Sequence, residues 1–323
     1  MDIADTPHVR HADVAPDFLA IGHVTRDLLP DGSWRLGGTV TFAALTAARL
    51  GLRAAIVTSA PTDVLAALNA ALPDTTVSVV PSEEATAFEN IYSSSGRQQY
   101  LRGRAAPLTI EAVPPRWRDA PIVLLAPVAQ EVDTSLVTAF PRSLVGATPQ
   151  GWLRQWDGDG KVTPAPLSHA ETLLPHAQAL ILSRDDVPSP VTTDGEPAGD
   201  PEIPEIPAAP EAFDGVFFEW ARTVPQVAVT AGKDGVLLIG KDMPGPMMLS
   251  GYPAREVDPT GAGDVFAAAF LTELHATGDA ARAADFANRV VACSVEAPGG
   301  DGIPTREMLA ARWGLPGDPD NKD

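Results

Sequence analysis

The stretch VDPTGAGDVFAAAF, Val257 to Phe270, decides the fold. Pro259 and the glycines at 261 and 263 make a tight, low-bulk turn ahead of an apolar helix. Gly261, Ala262 and Gly263 leave backbone N–H groups uncovered at the helix start. Those donors and the helix dipole favour negative charge, so the turn is an anion cradle. Asp264 falls in the first helical turn, where the dipole stabilises a carboxylate. It is therefore expected to be ionised and able to take a proton. A hydroxyl beside Asp264 and a phosphoryl group over the amides would be an arrangement for phosphoryl transfer, driven by positioning and charge stabilisation. Taken as four residues alone, G-A-G-D is equally a strand–helix turn with Asp264 as its cap.

Outward from this stretch, strand and helix patterns alternate. Asp17 to Thr25 (DFLAIGHVT) reads as a buried strand. Gly37 and Gly38 open an Ala-rich helix that runs to Leu50 and stops at Gly51. Leu52 to Ala60 is a second strand and Thr62 to Leu72 a helix, the signature of a parallel α/β sheet. Thr75–Val80, Ala85–Ser93 and Arg97–Gly103 are strand-like with turn signals between them, which predicts a small antiparallel flap around 75–103. Alternation resumes with strands at Ile122–Ala126, Ser143–Thr148 and Ala179–Ser183. A helix is predicted over Glu211–Thr223, then strands at Gln226–Thr230 and Gly235–Ile239. Helices follow over Gly263–Thr277, Ala280–Glu296 and Thr305–Trp313. The Pro-rich, acidic segment 188–210 reads as an extended surface loop. Residues 1–16 and 314–323 read as tails around one domain, 17–313.

Composition narrows the partners. The 323 residues carry 23 Lys and Arg against 42 Asp and Glu, a net charge of −19. So acidic a surface repels phosphate backbones and anionic lipid, which argues against nucleic acid and membrane while leaving room for a small anionic ligand in a local pocket. Cys293 is the sole cysteine, so no internal disulfide and no cysteine-based zinc site can form. No apolar run approaches the roughly 18 residues of a membrane helix. These features predict a cytoplasmic protein.

The longer string D-P-T-G-A-G-D followed by an apolar helix closely resembles the second signature of the PfkB carbohydrate kinases, the ribokinase-like family. The resemblance covers roughly residues 17 to 313. It implies a three-layer α/β/α sandwich with a small β lid, ATP and Mg2+ as cofactors, and Asp264 as base with the Gly261, Ala262 and Gly263 amides as anion hole. The acid of GHVTRD, Asp27, then stands where the family binds sugar hydroxyls. Gly37 and Gly38 resemble the first signature, whose glycine pair lets backbone approach substrate. That signature has Asn four residues after its second glycine, and this chain has Phe42. Phe cannot hydrogen-bond a sugar hydroxyl, so it either packs inward or reshapes the substrate pocket.

The same resemblance assigns the donor side. Ser183-Arg184-Asp185-Asp186 stands at the family's N-x-x-E motif, with Asp186 as a candidate magnesium ligand acting through a water. Thr230, Gly232 and Gly235 resemble the turn along the nucleotide phosphates, with Lys233 as a less certain charge partner. Asn288, Ala292 and Gly300 fall in the segment flanking adenine. Asp258 and Thr260 match the side-chain part of a monovalent cation site, with the need for potassium left open. The β lid can mediate a homodimer, and Arg97 and Arg102 on it face either substrate or an exposed edge. Phe42 and S-x-x-D point to a divergent, inositol-kinase-like branch, hence a sugar or cyclitol acceptor. The alternatives are a nucleoside kinase and a catalytically silent sensor of sugar or nucleotide.

Four further signals carry bland readings. Asp157-Gly158-Asp159-Gly160 lacks the later residues of a calcium loop and reads as a turn. His23 and Trp152 are expected to pack, although the Gln150–Arg154 segment follows a strand and can reach the substrate edge. Cys293 reads as an inert core residue.

Overall fold

Phe18–Ile21, four consecutive apolar residues, form β1 with every side chain buried. Phe18 and Ala20 enter the apolar cluster on one face of the sheet, Leu19 and Ile21 the cluster on the other. Such two-sided burial is the mark of a parallel sheet covered on both faces.

The computed structural model describes residues 14–93, 96–187 and 215–314. After β1 come β2 (Thr25–Leu28), β3 (Trp34–Gly37), α1 (Thr39–Arg49), β4 (Ala54–Ala60), α2 (Thr62–Ala71) and β5 (Thr76–Pro81). Then follow β6 (Thr86–Ser93), β7 (Gly96–Gly103), β8 (Ile122–Leu125), β9 (Leu144–Ala147), β10 (Arg154–Trp156), β11 (Val162–Pro164) and α3 (Ala170–Leu173). The chain ends with β12 (Ala179–Ser183), α4 (Gly215–Trp220), β13 (Gln226–Thr230), β14 (Val236–Ile239), β15 (Met247–Leu249), α5 (Ala262–Thr277), α6 (Ala280–Ser294) and α7 (Arg306–Trp313).

The central sheet has nine strands in the order β15-β14-β13-β12-β9-β8-β1-β4-β5. It is parallel from β5 to β13, and β14 and β15 close it antiparallel. The helices α1, α2, α5, α6 and α7 cover one face. The other face carries α3 and α4, but much of its cover comes from 3₁₀ turns bearing Trp117, Leu136 and Trp152. Pro114 and Pro115 begin one of those turns, Pro149 begins another, and Pro141 follows the third. The expected α/β/α sandwich is present, with one of its outer layers thinned.

Two expectations about the lid need correction. The Thr75–Val80 segment is not part of it: β5 pairs parallel with β4 as the edge of the central sheet. The lid has four strands in the order β3-β2-β6-β7, so it also takes in Thr25–Leu28 and Trp34–Gly37, which the sequence reading folded into the first strand and a glycine turn. Asp27 therefore lies on a lid strand and does not end β1. A hairpin of β10 and β11 adds to β7 through the Tyr100–Lys161 bridge. Its tip is the 157–160 turn, where the Asp157 carboxylate accepts the N–H groups of Asp159 and Lys161. The 188–210 loop, residues 211–214 of the predicted helix, residues 1–13 of the first tail and residues 315–323 of the last lie outside the described residues.

Candidate active site

The chain leaves β1 for β4 and β5 on one side and returns as β8 on the other. That reversal opens a crevice beyond the carboxyl ends of β1 and β8, the usual ligand site of a parallel sheet. A buried carboxylate frames it. Glu131, 1 % exposed, accepts the N–H groups of His23, Val128 and Ala129 at 2.7–3.0 Å. One side chain thus ties the loop after β1 to the loop after β8. His23 packs, as expected. Its Nε2–H donates to the Ala106 carbonyl at 2.8 Å, and Nδ1 accepts from Thr86 at 2.6 Å. Burial holds its pKa below the usual histidine value, so the ring is neutral. Sequence reasoning missed Glu131: it belongs to no motif, and its partners are 2 to 108 residues away.

The glycine pair is explained by what lies against it. A Cβ on Gly37 would sit 2.5 Å from the Asp27 carboxylate. Gly38 has φ +92°, and a Cβ there would strike the His23 carbonyl. Both glycines let the lid strand close on the start of α1. Asp27 is half-buried and accepts from the Thr25 hydroxyl at 3.1 Å. Phe42 takes the first of its two alternatives. It is 7 % exposed, and its ring lies where a Cβ on Gly261 would come within 2.5 Å. Phe42 supports the anion loop from beneath.

The loop itself has the predicted shape. Gly261 caps α5 in the left-handed region at φ +78°, and Gly263 is exposed with open space where a side chain would stand. One amide differs from expectation: the Ala262 N–H turns back to the Pro259 carbonyl at 3.1 Å. The cradle is thus left to Gly261 and Gly263. Asp264 departs further. Burial pushes its pKa up to about 7, with the Asp186 and Asp27 carboxylates adding and the Thr39 hydroxyl and Arg154 opposing. Desolvation outweighs the helix dipole, so near neutral pH this carboxylate is shared between protonated and ionised forms. A base with that affinity suits proton transfer near pH 7.

Asp186 lies beyond β12. Its Oδ2 accepts the Ser183 N–H at 2.8 Å and its Oδ1 the Gln150 side-chain amide at 2.9 Å. Each oxygen keeps a lone pair for a metal-bound water, and among the described residues no cluster of three or more metal-ligating side chains exists. This fits magnesium, which retains waters and takes substrate phosphates, better than a metal enclosed by protein. Gln150 lies within a 3₁₀ turn at Pro149–Leu153 and Arg154 just after it; the turn's Trp152 is buried and donates to the Val132 carbonyl at 2.9 Å. Asp258 accepts the N–H groups of Thr260 and Gly299, both at 3.0 Å; the Thr260 hydroxyl above all, helped by these N–H groups, holds its carboxyl below the usual range. It ties the anion loop to the turn that carries Gly300.

On the donor side, Thr230 donates to the Leu182 carbonyl at 3.3 Å. Gly232 and Gly235 both take positive φ, and a Cβ on Gly235 would strike the Leu249 carbonyl. Asn288 and Ala292 are the residues expected to flank adenine. Both are buried, and the Asn288 amide donates to the Ser250 carbonyl at 3.2 Å. Gly300 packs against Leu45. Arg102 sits on the lid face away from Phe88, paired with Glu89 at 2.7 Å, and the Arg97 side chain is outside the description. Cys293 is buried, with burial raising its pKa, in keeping with an inert thiol.

Residues 217–306 match the pfkB family carbohydrate kinase model. Over that segment the chain is similar to the PfkB carbohydrate kinases. It is 26 % identical over 272 residues to the cytidine kinase of Thermococcus kodakarensis, covering 79 % of this chain and 87 % of that one. A pyrophosphate-dependent kinase in the ribokinase family superposes with a TM-score of 0.70 at 20 % identity, over 91 % of this chain and 99 % of that one. The ribokinase of Arabidopsis thaliana superposes at 0.66 with 19 % identity, over 94 % and 100 % of the two chains. These structural likenesses establish the fold. The family match and the cytidine kinase likeness indicate a phosphotransferase acting on a hydroxyl group. No helix among the described residues is long and apolar enough to cross a membrane.

Proposed function

We propose that this protein transfers the γ-phosphoryl group of ATP to a hydroxyl of a sugar or cyclitol. The observation that carries the reading is Asp264, poised near pKa 7 beside the Gly261 and Gly263 amides. In this reading Asp27 and the backbone of Gly37 and Gly38 hold the acceptor. Asp264 takes the proton of the attacking hydroxyl, and the helix-start amides stabilise the transferred group. Magnesium, bound through ATP phosphates and a water on Asp186, would neutralise phosphate charge. Thr230, Gly232, Gly235 and Gly300 would line the donor, and Asp258 with Thr260 would border a monovalent cation such as K+.

Two observations favour variants of this reading. The cytidine kinase likeness favours a nucleoside acceptor. Pyrophosphate-dependent kinases among the structural relatives, together with the burial of Asn288 and Ala292, favour a donor without adenine. A homodimer through the lid would use the β3 edge, because β10–β11 already occupies β7. The experiment is product release by the purified protein with ATP or pyrophosphate, magnesium and potassium, against sugars, cyclitols and nucleosides. An acceptor that works with wild type and fails with Asp264→Asn supports a kinase and names its class. Ligand binding without turnover by any pair would instead support the sensor.

A further inference from the structure

The lid presents one transverse row of side chains towards the crevice. Arg35, Asp27, Phe88 and Leu101 are register partners across β3, β2, β6 and β7, so they share a face. At one end Arg35 draws down the pKa of Asp258 in the anion loop. At the other, Leu101 packs with Phe88, Val128 and Ala129. Between them the Arg154 guanidinium stands 5.9 Å from the centre of the Phe88 ring. The backbone that carries Arg154 is fixed by the buried 3₁₀ turn before it and by the Gln130 side chain, which donates to the Arg154 carbonyl.

Charge gives this position a purpose. Three carboxylates act together here, those of Asp264, Asp186 and Asp27, and Arg154 is the cation acting on Asp264 against them. A phosphoryl group arriving beside Asp264 would meet that negative field at the moment its own charge spreads over three oxygens. Arginine suits the task because its planar fork offers several N–H donors and stays charged.

We propose that Arg154 is a further catalytic residue, donating hydrogen bonds from the lid side to the phosphoryl group in transfer. This rests on the kinase reading. The acceptor oxygen forms its bond to phosphorus as the bond from phosphorus to the donor's leaving oxygen breaks. The hydroxyl proton goes to Asp264, and Arg154 is unchanged. Because Phe88 belongs to the lid, the position of the cation is tied to lid placement, which couples acceptor binding to charge stabilisation.

The test compares wild type, Arg154→Ala and Arg154→Lys with a working acceptor. In Arg154→Ala, kcat should fall on the order of 1,000-fold while donor affinity holds within about twofold. Added guanidinium should restore part of the loss, a rescue that a purely structural defect would not show. ADP with aluminium fluoride and acceptor, a mimic of the transferring group, should bind far more weakly to the variant although ADP alone does not. Arg154→Lys should melt like wild type and stay slow. Turnover of Arg154→Ala within about fivefold of wild type, or a loss confined to acceptor KM, overturns the inference and leaves the kinase reading standing. A wild-type chain that turns over no acceptor overturns both.

Discussion

The two sides of the reacting centre are built by different rules. The donor side is local. Asp258 to Asp264 form one turn, its donors are main-chain N–H groups, and positive φ at Gly261 sets its shape. The acceptor side is assembled from distant pieces: Asp27 on β2, Phe88 on β6, Glu131 after β8 and Arg154 at β10. There, buried side chains do what backbone does on the donor side. Glu131 holds two loops by their N–H groups, and the emptiness of Gly37 makes room for Asp27. A site can thus keep an invariant-looking phosphate turn while its acceptor wall changes one side chain at a time.

Asp264, where the two sides meet, should give the largest effect. Asp264→Asn should lower kcat by about 1,000-fold or more while donor binding persists. In wild type, kcat/KM should rise with pH through about 7 as the carboxylate loses its proton. Stability should move the other way. The folded-state pKa lies above the ordinary aspartate value of 3.8, so between about pH 4 and 7 the folded chain holds more proton than the unfolded one. Stability then falls as pH rises through that window, by on the order of a few kcal/mol for this group. Asn carries no such penalty, so the variant should melt higher than wild type at pH 8. Denaturation at pH 5 and pH 8 checks this, and a variant that melts lower at pH 8 would show that the aspartate is not desolvated.

Phe42 shows how the comparison can break, since it belongs to α1 on the acceptor side yet underlies Gly261 on the donor side. Phe42→Ala should cost about 3–5 kcal/mol through the cavity it leaves. Its kinetic signature should be weakened donor binding with acceptor KM little changed. Raised acceptor KM alone would return Phe42 to the substrate pocket.

What the sequence shows follows the same division. All the central strands but β15, the helices α1, α5 and α6 and the 258–264 turn were legible, because contiguous residues encode them. The lid was misread at both ends. β5 carries the same Thr/Val pattern as a lid strand, and only pairing with β4 distinguishes it. β2 follows β1 so closely that one apolar stretch appeared to be one strand. Asp264 as an ionised base was misjudged for a related reason: the dipole is visible locally, whereas the burial that overrides it, with the Asp186 and Asp27 charges that add to it, comes from distant parts of the fold. Glu131 gave no signal beyond a charge inside a mostly apolar stretch, and Arg154 only its place in a segment after a strand, within reach of the substrate edge.

Glu131→Gln sharpens the acceptor half. An amide can still accept through one oxygen, but its NH2 then faces main-chain donors among Val128, Ala129 and His23. The loss should be about 2 kcal/mol, within the range for hydrogen bonds to a charged group. Denaturant unfolding measures it. The functional signature should be raised acceptor KM at nearly constant donor affinity, the converse of Phe42→Ala. Equal changes in both would mean that the two sides are mechanically one.

The smallest effect should come from the far face of the lid. Arg102 pairs with Glu89 at 2.7 Å, lies over the Tyr100 ring at 4.5 Å and donates to the Asp159 carbonyl at 3.0 Å. Both members of the ion pair are 38 % exposed, so water and salt screen it. Such pairs contribute about 0–1 kcal/mol. Phe88, adjacent to Glu89 on β6, points to the opposite face, which places Arg102 away from Asp27 and Arg154. Arg102→Ala should therefore change stability by about 0.5 kcal/mol or less and leave both KM values and kcat within about twofold. A larger kinetic loss would mean that the two faces of the lid communicate, and that Arg102 sets the angle at which β6 presents Phe88 to Arg154.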